Sequence, residues 1–457
     1  MMNHAHPTAR PGRSRTPLAA AATAALVLLP LGATAVAALD DDATSAAPVR
    51  ANTPQLTEKD HERLAKDIAA WYEARRESEG VLDAREDLDK NIEKIAKKAE
   101  VDDLLALSAD WEAALRLVKE YPSTPSNGKG RVDEVEFDGF YGDEIHYLIH
   151  GPKSYRRDTP LPLMIIVPDA QQKVAEMFRD EWLEEATGIE EEFLLVATHM
   201  PEDLEQWTIK GETGKPGGVD RILQVFKHVT DDWNVDAERV FLCGMEDGVA
   251  AAVRVAALYP DRFAGVLGVS GEPLEGETVE NFANLPLHLV AGADNATALT
   301  RQAEERGWDH VKFSPSASSA EMADWLRAQR RTAHPAEVHY HPHETYARDA
   351  YWLRVVGADP ETETRVHAVA DRATNTITIE GTGATGVVVF YSDRVVDLDR
   401  PVTVVIGGVK HEHTVQRNLE FLLERARVSG DPGRAYVENR PFDFPETVEG
   451  EDETAGE

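Results

Sequence analysis

Residues 241–248 read Phe-Leu-Cys-Gly-Met-Glu-Asp-Gly. Two glycines at this spacing, after an apolar run and before an alanine-rich one, mark a sharp strand–turn–helix corner. Such a corner lifts a reactive side chain above the end of a sheet, and its catalytic form is G-x-S-x-G. Gly244 and Gly248 keep the frame, but the centre is Glu246, where this chemistry needs a serine. A carboxylate can attack as a nucleophile. Glu246 would then need a different approach geometry, and a base to activate the water that clears the ester intermediate. Frame and chemistry point apart, and the expectation is a lost nucleophile.

Other residues capable of chemistry are few. His339, His341 and His343 alternate with Tyr340 and Pro342, so on a strand they share one face, and His411 and His413 repeat the pattern. Imidazoles at i and i+2 can converge on a metal. No cysteine or fixed ligand spacing supports either set, so ordinary histidines and no metal are expected. Cys243 is the only cysteine and cannot form an intrachain disulfide. At the end of an apolar strand it reads as a buried structural thiol. There is no phosphate-binding loop, dinucleotide fingerprint or EF-hand loop, and no cofactor is expected. Gly214 and Gly217-Gly218 precede a helix but make too short a glycine-rich piece to bind phosphate.

The elements that must position the corner are legible in the pattern. The chain has 457 residues and 42% hydrophobic residues, enough for two or three domains with their own cores. Residues 1–39 read as an export signal or membrane anchor, 40–55 as a polar linker and 56–121 as a helical region. In that region Leu64, Ile68 and Trp71 recur at helical spacing, as do Leu104, Leu107, Trp111 and Leu115. From 131 to 333, apolar runs alternate with amphipathic helices at 218–232, 247–258, 297–307 and 319–331. The runs are 163–167, 193–197, 240–243, 265–269 and 287–291, preceded by an antiparallel pair at 132–137 and 144–149. This predicts an α/β domain, a mostly parallel sheet with helices on both faces. From 336 to 440, six short strand-like runs between turn residues predict a β-sandwich-like domain, with a helix at 416–428 and a last strand near Tyr436. Residues 441–457 carry seven acids and no base and read as a disordered tail.

The segment 231–271, with Val235-Asp-Ala-Glu-Arg-Val240 before the corner and Tyr259-Pro-Asp-Arg-Phe-Ala264 after it, resembles secreted α/β-hydrolases. The group is that of the esterases, polyhydroxybutyrate depolymerases and prolyl-oligopeptidase-like enzymes. The resemblance covers about 131–331. It continues weakly into Tyr351-Trp352-Leu353 and 396–404, similar to the β-rich tail of some bacterial members. It implies an α/β-hydrolase-like sheet and places three further catalytic parts. The oxyanion loop, usually His-Gly-Gly, falls at Pro168-Asp169-Ala170-Gln171-Gln172. Proline there has no N–H and Asp169 opposes developing negative charge. The acid falls at Asp294 or Asn295, where Asp294 reads equally as a turn residue. The histidine falls in the loop 314–320, about Ser316, and that loop contains none; His310 reads as structural.

The formal charge of −34 excludes nucleic acid and anionic lipid as partners and fits solubility or adaptation to salt. Arg10, Arg13 and Arg15 precede the apolar run Leu18 to Leu31 and an Ala35-Val-Ala37 cleavage pattern. Export is therefore expected, to the medium or the cell envelope, with membrane contact only through an uncleaved N-terminal segment. The leading expectation is a pseudoenzyme that binds or scaffolds a small molecule or protein not identified by the sequence. The alternatives are an ester or peptide hydrolase with non-standard residues, or a surface- or carbohydrate-binding protein acting through the β-rich tail.

Overall fold

Apolar stripes on the first helices have to be covered, and the cover comes from the far end of the chain. The computed structural model describes residues 53–445, apart from 141, 170–173, 184–186, 201–206, 208–216, 293, 345 and 359–361 and the side chains of 180 and 181. The expected leader, Ala170 and most of the acidic tail lie outside the described residues. Helix α1 (Glu58–Glu77) starts at a Thr57/Asp60 capping box, and α2 (Val81–Ala99) follows Gly80. A shorter α3 (Ser108–Arg116) ends the helical region. Asp110 on α3 is fully buried; it accepts from the backbone of Gln55 and Leu56 and pairs with His61 at 2.8 Å, which pins the start of α1.

The central sheet comprises β1 (Val132–Asp138), β2 (Glu144–His150), β3 (Leu161–Val167), β4 (Leu194–Thr198), β5 (Val235–Met245), β6 (Gly265–Val269), β7 (Leu287–Val290) and β8 (Val311–Ser314). Their order is β1-β2-β4-β3-β5-β6-β7-β8. The joins β1–β2 and β2–β4 are antiparallel and all others are parallel. Four helices lie between these strands, α4 (Val174–Met177), α5 (Gly218–Asp232), α6 (Gly248–Leu258) and α7 (Asp294–Arg306), and α8 (Ser319–Ala328) follows the last. This is the α/β-hydrolase arrangement. Strand β3 shows why it needs helices on both sides. Leu163, Ile165 and Val167 join the core under α5 and α6, while Met164 and Ile166 join the opposite core with Phe178, Cys243 and Leu326 of α8.

The C-terminal strands are β9 (Glu337–Tyr340), β10 (Asp349–Ala350), β11 (Leu353–Val356), β12 (Arg365–Asp371), β13 (Thr376–Thr382), β14 (Gly386–Tyr391), β15 (Val402–Ile406), β16 (Val409–His413) and β17 (Glu438–Asp443), with α9 (Leu419–Ser429) before the last. They form a four-stranded sheet, β10-β11-β14-β17, and a five-stranded sheet, β16-β15-β13-β12-β9. Strand β16 escaped the sequence pattern because it is an edge strand whose residues are nearly all exposed, so no apolar alternation marks it. One apolar core joins this region to the N-terminal helices, and Trp71 and Trp111 are buried in it together with Tyr391, Leu422 and Tyr436. Tyr72 donates to the Leu423 carbonyl at 2.6 Å, and Arg394 donates to Glu112 at 2.7 Å. Arg331 ties this unit to the sheet domain, donating to Glu238 of β5 at 2.8 Å and pairing with Asp431 through both carboxylate oxygens.

Candidate functional site

Five parallel strands, β3 and β5 to β8, end at one edge of the sheet, and Asp169, Glu246, Asp294 and Ser316, the predicted site residues that are described, follow these ends. The backbone there forms a staircase. Glu246, Ser270 and Ala291, after β5, β6 and β7, all adopt left-handed φ angles of 48°, 58° and 56°. Each donates its N–H to the next strand: Glu246 to Val269 O at 2.9 Å, Ser270 to Val290 O at 2.8 Å and Ala291 to Ser314 O at 2.9 Å. The corner at Glu246 closes as Val249 N–H donates back to Glu246 O at 3.1 Å. Glycine is required around it by close approach. A Cβ on Gly248 would lie 2.1 Å from the Val167 carbonyl oxygen, and one on Gly271 would lie 1.9 Å from that of Glu246. Helix α6 then runs Gly-Val-Ala-Ala-Ala-Val, small residues that let it press onto the sheet; all but Ala250 and Arg254 of its eleven residues are buried.

The nucleophile position therefore has the geometry of a working corner, with a glutamate in it. The Glu246 side chain is exposed and has no hydrogen-bond or ion-pair partner among the described residues. Asp247, which opens α6, is exposed beside it. Past β3, the Pro168 carbonyl accepts from Trp207 Nε1 at 2.8 Å, and Asp169 follows. Three acidic residues, Asp169, Glu246 and Asp247, thus follow the ends of β3 and β5.

Asp294 is the first residue of α7 and is exposed; a carboxylate in a first turn is favoured by the helix dipole. Asn295 donates to the Pro273 carbonyl at 3.2 Å. The carboxylate that reaches this helix start is Glu272, which accepts from Ala296 N–H at 3.0 Å. Sequence reasoning passed over Glu272, and no local signal marks it, since it arrives from the end of β6.

Ser316, exposed, sits in the loop after β8. That loop serves the helix behind it: Ser318 caps α8 by a box with Glu321, with bonds of 2.8–3.3 Å. Apart from His4 and His6, every histidine of the chain lies within the described residues. Two hold structural posts on and beside the neighbouring strands, His310 just before β8 and His288 on β7. His310 contacts the Phe282 carbonyl oxygen at 2.8 Å. His288 on β7 is buried, shares a hydrogen bond with Ser314 Oγ at 3.0 Å and faces the edge of Trp325. Burial, aided by the positive charge of Lys312, pulls its pKa from 6.5 down to about 4.

Of the histidine sets on the tail, His341 and His343 stay in ring contact at 4.7 Å, and His411 and His413 both lie against Phe442. His341 meets the Thr364 carbonyl oxygen at 2.5 Å, and His343 meets the buried Glu277, itself paired with Arg254 of α6. His413 pairs with Tyr391 Oη at 2.9 Å, and His411 packs on Phe442. His339 faces neither neighbour; it stacks on His367 of β12 at 4.2 Å.

No family model matches the chain, and no curated protein matches it. Solved structures similar to part of it include the following three. One is a thermostable esterase, at 16% identity over 44% of this chain, with a TM-score of 0.37; the chain spans 63% of that protein. Another is an S-formylglutathione hydrolase from Staphylococcus aureus, at 11% identity, 43% and 95% coverage of the two chains, and a TM-score of 0.33. The third is a ferulic acid esterase from Anaeromyces mucronatus, at 9%, 46% and 94%, with a TM-score of 0.36. The fold assignment stands on the strand order and register given above.

A cavity of about 480 Å³ lies elsewhere, lined by Glu112, Arg116, Glu238, Arg331, His334 and Arg394. Glu238 is near the start of β5, eight residues before Glu246. At about 3.3 Å per residue that is roughly 26 Å along the strand, so this space is not the cleft above the corner. The His334 side chain is largely covered there; its Nε2 lies 3.5 Å from Glu112 Oε1, and neither ring nitrogen makes a hydrogen bond.

Proposed function

We propose that the chain is a non-catalytic protein of α/β-hydrolase fold that acts outside the cytoplasm by binding or scaffolding. The observation that carries this reading is a fully formed corner around Glu246 with no imidazole paired to it among the described residues. Covalent hydrolysis needs a base against the nucleophile, an acid behind the base and donors for the oxyanion. At this edge the nucleophile position is an exposed carboxylate, the expected histidine loop caps a helix, and Asp247 and Asp169 add negative charge. An ester formed on Glu246 by displacing a leaving group from a saturated carbon would have no base beside it to activate the water that releases it. The polar cavity between the helical region and the sheet domain supports the binding role, since His334 Nδ1 and Arg394 Nε are buried there without hydrogen-bond partners. The export part of the proposal rests on the basic and apolar N-terminal residues.

The test is hydrolysis of short-chain p-nitrophenyl esters and of peptide p-nitroanilides by the full chain and by Glu246→Ala. The two proteins are expected to show the same rate as buffer. Turnover by the wild type that disappears in Glu246→Ala would establish a hydrolase with a carboxylate nucleophile or base, and the non-catalytic reading would fall.

A further inference from the structure

Sheet pairing brings His367 to Glu337 and His339, which stand two residues apart on a strand far earlier in the sequence. Strands β9 and β12 are antiparallel neighbours, and His339 stands directly opposite His367. On β9, Val338 and Tyr340 point into the sandwich core, so Glu337 and His339 point away from it; on β12, Val366 and Ala368 point inward and His367 outward. The two imidazoles stack, with centroids 4.2 Å apart and planes 18° from parallel. Glu337 Oε1 lies 3.0 Å from His339 Nε2 and 2.7 Å from His367 Nε2. The three ligand atoms all fall within 4.8 Å of one another.

We propose that Glu337, His339 and His367 bind a zinc-class divalent cation on this outer face of the five-stranded sheet. In a tetrahedral site with bonds of about 2.0–2.2 Å, ligand atoms sit about 3.3 Å apart. The Glu337 spacings of 3.0 and 2.7 Å have to open by roughly 0.3–0.6 Å, and the stacked rings have to tilt so that both Nε2 lone pairs converge on the ion. Two imidazoles and a carboxylate suit zinc, cobalt, nickel and copper rather than magnesium or calcium, which prefer all-oxygen shells. The site is half open: Glu337 and His367 are accessible, while His339 is walled by the edge of Trp308 at 5.4 Å. Asn284 of the sheet domain donates to the Glu337 carbonyl at 2.8 Å and steadies the strand. Trp308 and His310 precede β8, so the site lies at the opposite end of the parallel strands from Glu246 and is independent of the proposal made for that corner. A second group, Glu136, Glu144 and His146 on β1 and β2, has a single imidazole and two exposed carboxylates, and it serves as the internal control.

The experiment titrates the full, untagged, chelator-treated chain with Zn2+ by calorimetry and with Co2+ by visible absorption and tryptophan fluorescence. One Zn2+ per chain is expected, with Co2+ quenching tryptophan emission at the same stoichiometry through Trp308. His367→Ala and His339→Ala should each weaken binding at least about 100-fold, beyond the loss usual for a merely supporting group. His146→Ala should leave binding unchanged. If His339→Ala fails to fold, His367→Ala, whose ring is the more open, carries the test. Absence of saturable Zn2+ binding, or binding that survives both His339→Ala and His367→Ala, would overturn the proposal.

Discussion

At the scale of single residues, the features legible in the sequence are those with local causes. Glu246, Asp169 and the histidine-free loop 314–320 are read from the order of residues alone, and each stands past the strand end where it was expected. His367 and Glu272 were invisible because their partners are chosen by strand register and strand order. His367 meets His339 only through the β9–β12 pairing, and Glu272 meets Ala296 only because β6 and β7 end side by side. His288 offers a prediction at this scale. Its ordinary pKa is 6.5 and its folded value about 4, because burial disfavours the charged ring. Between these values the unfolded chain binds more protons, so stability falls as the pH drops through this window and levels off below it. The loss amounts to roughly 3 kcal/mol at most, on the scale of about 1.4 kcal/mol per pKa unit. Urea midpoints measured at about pH 7 and about pH 4.5 should therefore separate more in the wild type than in His288→Gln. Equal separation in the two proteins would show that the ring is not titrating from a buried neutral state.

At the scale of elements, the corner is a geometric device independent of its central residue. Gly244 and Gly248 announced it in the sequence, whereas Gly271 carried no such signal, yet its missing Cβ is what lets β6 pass the Glu246 carbonyl. Gly271→Ala would force the two backbones apart and is expected to cost roughly 2–3 kcal/mol, the range for an overpacked interior. A urea titration checks this, and a loss below about 0.5 kcal/mol would mean the staircase yields easily. The helices were the easier elements to read, because their apolar stripes and caps are local: α5 occupies 218–232 as predicted and α6 begins one residue later than predicted. Strand β16 was not readable, since an edge strand with both faces in solvent needs no alternation.

At the scale of the whole molecule, the chain has spent its residues on joining parts. The N-terminal helices and the C-terminal sheets share one core, and Arg331, Arg394 and the Arg254–Glu277–His343 group bind the parts to one another. Sequence periodicity gives each part its class but not this union, because the complementary apolar surfaces are separated by the entire sheet domain. The molecule so assembled keeps a corner shaped to aim a nucleophile and surrounds it with acids and helix caps. The most direct measurement of that claim is the reactivity of Glu246→Ser toward a fluorophosphonate probe, which labels a serine only when a base and oxyanion donors activate it. No labelling above that of the heat-unfolded variant is predicted. Stoichiometric labelling of the folded variant would contradict the account, because it would reveal a working catalytic surround behind the glutamate.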